Sequence, residues 1–150
     1  MIVGSRWLAP IGFGVVALVV LGSALGEVGF AFHGRGALLA LTTLWYAAAA
    51  IALLLRDSGR RWWTILLLAS MAAAASIIHA TDQDGPVIGL FLVVAFAPLR
   101  LDARPAIAVA AFAVLGFDAV LAFTADDPAV FIVAVSGGAA FFFLLGMLLR

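Results

Sequence analysis

A chain of 150 residues that is 67% hydrophobic and only 11% charged, with a mean hydropathy of +1.27, has too few charges to cover a water-facing surface. Soluble domains average about 45–50% apolar and about 25% charged residues, so the composition points to an integral membrane protein. Zero net charge without a basic tract argues against nucleic acid as a partner, and the absence of Cys excludes disulfides and thiolate metal sites.

A helix crosses about 30 Å of hydrocarbon in about 20 residues. Uncharged apolar runs predict an all-α polytopic bundle of six spans in a single domain, 1–150, at approximately 7–26, 37–55, 62–80, 86–99, 105–123 and 129–149. The first run follows Arg6 and imitates a signal peptide, but it continues to Gly26 without a convincing cleavage site. The second carries Thr42 and Thr43, and the third carries Ser70 and Ser76. These hydroxyls can bond to their own helix backbone and call for no functional explanation. The third run opens with Trp62 and Trp63 beside Arg60 and Arg61, a pattern expected at a membrane interface.

The fourth run, PVIGLFLVVAFAPL, has 14 residues and spans about 21 Å as a helix. It is short for a crossing, and the loop charges bear on whether it crosses. With six crossings and both termini cytoplasmic, seven of the eight Arg lie inside and Arg35 alone lies outside, as the positive-inside rule expects. On that topology Arg56, Arg60, Arg61, Arg100 and Arg104 are cytoplasmic topology determinants that also contact lipid headgroups. The fifth run begins at Pro105, which suits the first position of a helix. It is interrupted at AVLGFDAVLAF by Asp118. The sixth contains SGGAA, which with GSALG and MAAAAS offers small residues for close helix packing or, less ordinarily, a dimer face.

No phosphate-cradling glycine loop, HExxH motif or helical carboxylate pair is present, so no catalytic, cofactor-binding or metal-binding residue is assigned and no cofactor is expected. The absence of Lys removes Schiff-base retinal chemistry. The outer face nevertheless gathers Glu27, His33, Arg35, His79, Asp82, Asp84, Asp126 and Asp127, with Asp118 just below. Polar loops are the ordinary explanation. The sharper one is a protonation-sensitive or ion-handling rim built from Asp118, His79, Glu27, Asp82 and Asp84. Asp118 lies six residues before the polar exit at Thr124, or about 9 Å along the helix. That depth places it in the outer leaflet, facing the bundle interior or a water-filled vestibule, with His79 or Arg35 as expected partners.

The short Arg-rich connection in FAPLRLDARPAIAVAAFAVLGF, and the apolar exit FFFLLGMLLR, resemble the N-terminal membrane regions of bacterial sensor histidine kinases. The similarity is to the branch related to the DesK thermosensor and to nitrate-responsive kinases. It implies a sensor and membrane module in the bacterial inner membrane, without catalytic residues of its own, since no phosphoacceptor helix or ATP-binding domain lies within the chain. Kinase activity would belong to a part beyond Arg150, so whether the parent protein is an enzyme stays open. Implied partners are the lipid bilayer and a second copy of the chain, with the ligand unspecified. The alternative reading is a small transporter or channel subunit with Asp118 in a proton or cation path.

Overall fold

The computed structural model describes residues 34–55, 60–81 and 87–150, all of whose regular structure is helical. In chain order the helices are α1 (Arg35–Leu55), α2 (Arg61–Thr81), α3 (Ile88–Arg100), α4 (Ala103–Thr124) and α5 (Pro128–Leu148). These correspond to the second through sixth predicted runs, with ends differing by a few residues. The run at 7–26 lies outside the described residues. Three helices, α2, α4 and α5, are long and apolar enough to cross a membrane, whereas α3 is shorter.

Local sequence explains the helix ends. Gly34, with φ +81°, turns the chain into α1 through a conformation that side chains resist. Pro128 is the first residue of α5, where its missing N–H removes no helical bond. Pro105 corrects an expectation: α4 begins two residues earlier, at Ala103, with Asp102 at the N-cap. The proline still falls in the first turn, whose N–H groups have no intrahelical acceptor, so the earlier start costs nothing. Pro98 lies inside α3, which ends two residues later at Arg100. The expected shortness of this segment is present: 13 residues rise only about 20 Å.

The core forms where α2, α3 and α4 meet, with α1 packed on α2 and α5 packed on α3 and α4. On α4 the buried stripe Ala106, Val109, Ala113, Phe117 and Leu121 follows helical spacing and faces inward. The short α3 lies deepest, with Leu90, Val93, Val94 and Ala97 essentially inaccessible. Glycines let α5 approach it. A Cβ at Gly146 would collide with the Ala95 carbonyl oxygen, and one at Gly138 would lie 2.7 Å from the Phe91 ring. Phe91 also stacks on Phe142, with centroids 5.0 Å apart. Part of the SGGAA stripe is therefore occupied by packing within the chain, whereas Gly137 faces open space.

Polar groups within the helices mostly satisfy themselves locally. Thr42, Thr43, Ser70, Ser76, Thr81 and Thr124 donate to carbonyls three or four residues back on their own helices. Tyr46 instead bridges helices: its hydroxyl donates to the Gly89 carbonyl at 2.7 Å, joining the middle of α1 to the first turn of α3.

Candidate functional site

The 3-residue connection between α4 and α5 makes them an antiparallel hairpin, which brings Asp118 level with Ser136. The Ser136 hydroxyl donates to Asp118 Oδ2 at 3.0 Å. Asp118 follows Phe117 by one residue, so its side chain points about 100° around the helix from the inward stripe, toward α5. The other carboxyl oxygen, Oδ1, is buried and has no hydrogen-bond partner among the described residues. No ion pair there includes Asp118. A buried acceptor left in this way is costly and attracts a donor or a cation.

The sequence points to His79 or Arg35 as partners of Asp118, yet the hydrogen bond goes to Ser136, a residue read there as part of a packing stripe. His79 is nonetheless close in the fold. It is buried in the last turn of α2, and its ring lies 4.7 Å from that of Phe117, tilted by 35°. His79 thus packs on the inward face of the α4 turn that carries Asp118, whose own side chain turns toward α5. Glu27, Asp82 and Asp84 of the expected rim lie outside the described residues, as does His33. Asp126 and Asp127 are exposed in the connection between α4 and α5.

The arginines occupy helix ends. Arg60 precedes α2, Arg61 begins it, Arg100 ends α3 and Arg104 lies in the first turn of α4. Arg56 lies outside the described residues. Arg150, just past α5, pairs with Asp102 at 3.2 Å, tying the end of the last helix to the connection between α3 and α4. Both side chains are largely exposed, so the pair contributes little stability but shows that these two segments share one end of the bundle.

An open cavity of about 390 Å³ runs between α3, α4 and α5. Buried Val94 and Ala139 contribute to its wall, and exposed Ile107, Ala111, Ala140 and Leu144 lie toward its mouth. Ser136 is its one polar side chain, so the trough is apolar except where the Ser136–Asp118 contact begins. Among the described residues no group of three or more His, Asp or Glu side chains is arranged to hold a metal ion.

No protein-family model, curated protein or solved structure matches the chain.

Proposed function

We propose that the chain is the membrane-embedded input module of a two-component sensor histidine kinase, six-spanning with both termini cytoplasmic. Its last helix passes a membrane or extracytoplasmic signal to a cytoplasmic kinase part. The observation that favours this reading is the attachment of α5. It is tied to α4 near its middle by Ser136–Asp118 and just past its end by Arg150–Asp102, and it packs on α3 through Gly138 and Gly146. A shift in the packing of α3 and α4 would therefore displace the end of α5 in the manner of helix shifts in signalling proteins. A signal acts only if it favours one packing over the other.

Bilayer thickness is one such input, because α3 is too short to match an ordinary membrane and mismatch costs fractions of a kcal/mol per Å. Reconstituting the full-length protein in bilayers of graded acyl length and following autophosphorylation tests the reading. Output should change with thickness. Absence of any autophosphorylation, or a flat response to thickness and to membrane-soluble ligands, would contradict it.

A second reading, a small transporter or channel subunit, is favoured by one observation, the buried Oδ1 of Asp118. Asp118→Asn separates the two. Loss of proton or cation flux in vesicles would favour transport, and altered kinase output without flux would favour sensing.

A further inference from the structure

We propose that the trough between α3, α4 and α5 binds a single-chain lipophilic amine, with its ammonium head at the Ser136–Asp118 contact and its tail along the apolar walls. The inference names a ligand class for the sensor reading and rests on that reading only for the consequence of binding, not for binding itself.

Three features select this chemistry. Asp118 lies behind Ser136, one helical turn past the lining residue Val114, so a head group reaches it only by displacing the Ser136 hydroxyl. One of its oxygens is buried without a partner, and no cationic side chain among the described residues pairs with it. An ammonium supplies both the missing donor and the opposite charge, in a charge-assisted hydrogen bond stronger than a neutral one. The Ser136 hydroxyl, which donates to Oδ2, keeps its oxygen free to accept a second N–H from the same head as it swings aside.

An inorganic cation fits less well. Calcium requires six to eight oxygen ligands and magnesium near-octahedral coordination. One carboxyl and one hydroxyl do not provide these, and no further acidic or His cluster surrounds them among the described residues. The shape also favours an organic ligand. The cavity volume of about 390 Å³ lies within the range of about 300–1,000 Å³ usual for small-molecule sites. From Ser136 to Leu144 the trough follows α5 for two turns, about 12 Å. That length accommodates an alkyl tail of medium length lying against Val94, Ala110 and Phe143. Its mouth lies on the exposed side of α4 and α5, so on the membrane reading the ligand arrives laterally from the lipid phase.

The experiment uses decylamine carrying a terminal diazirine and the matching decanoic acid. Each is photolysed with the full-length protein in phosphatidylcholine vesicles, and adducts are mapped by mass spectrometry. The amine should label Ile107, Phe143 or Leu144 about tenfold more than the acid, a ratio corresponding to one charge-assisted contact. Asp118→Asn should reduce amine labelling to the level of the acid. Ser136→Ala should reduce it partly, which provides a second variant should Asp118→Asn not fold. Equal labelling by the two probes, or full amine labelling in both variants, would show simple partition into an apolar groove and overturn the proposal. Absence of adducts at those residues would overturn it too. Kinase output serves as a separate readout: specific labelling without a change in output leaves the site standing and counts against the sensor reading, whereas thickness-dependent output without specific labelling does the reverse.

Discussion

Helices α3 and α5 are both apolar, yet they occupy opposite situations. The shorter one, α3, is the deepest element, with Leu90 and Val93 at 0% exposure. The longer one, α5, buries only Val135, Ala139 and Gly146, while Leu148 is 82% exposed. In water the more apolar and longer helix would be drawn inside. Here hydrophobicity does not select the inner helix, because lipid is as good a solvent for Leu and Phe as the core is. Close fit selects it instead: α3 meets glycines on one side and the small residues of α2 and α4 on the other.

This contrast sets the order of expected effects, all read as changes in unfolding free energy in mild detergent. The largest follows Gly146→Ala, whose methyl meets the Ala95 carbonyl and the Pro98 ring rather than a movable side-chain tip. A loss of about 2–3 kcal/mol is expected from overpacking. Gly137→Ala, facing open space, should be silent and is the matched control. Leu90→Ala comes next, at about 2 kcal/mol, the low end for a buried leucine because no water-transfer contribution adds to the cavity. Leu148→Ala should change stability by less than about 0.5 kcal/mol, since that side chain packs on little. A comparable loss at Leu148 would break the contrast. Tyr46→Phe removes the hydroxyl bond to Gly89 and should cost about 0.6–1 kcal/mol. Asp102→Asn, which opens the exposed pair with Arg150, should cost about 0–0.5 kcal/mol, less at high salt.

Much of the helical framework was legible in the sequence because uncharged runs and their Arg, Pro and Gly boundaries mark where apolar helices begin and end. The brevity of α3 was readable from PVIGLFLVVAFAPL, and so was the place of Asp118 six residues before the helix end at Thr124. The partner of Asp118 was not. Ser136 lies 18 residues away on another helix, and pairing the two requires the rotation of both helices about their axes. Intramembrane hydroxyls also bond by default to their own backbone, as six others do here, so nothing local marked Ser136 as the exception. Tyr46 carries a clearer signal. It is the one tyrosine in the chain, and a phenolic hydroxyl within an apolar run needs a partner on another element.

The central claim is that the exposed face of α5 contacts lipid while α3 is shielded by protein. Because the chain has no Cys, single cysteines at Val130, Val133, Phe141 and Leu148, and at Val93 and Ala97, can each carry a unique nitroxide. Collision rates with oxygen, which concentrates in the bilayer, and with a water-soluble nickel chelate report the surroundings of each label in vesicles. The account predicts high oxygen and low nickel accessibility at the four α5 positions, and low accessibility to both at Val93 and Ala97. High nickel accessibility along α5 would place that face in water and contradict the account.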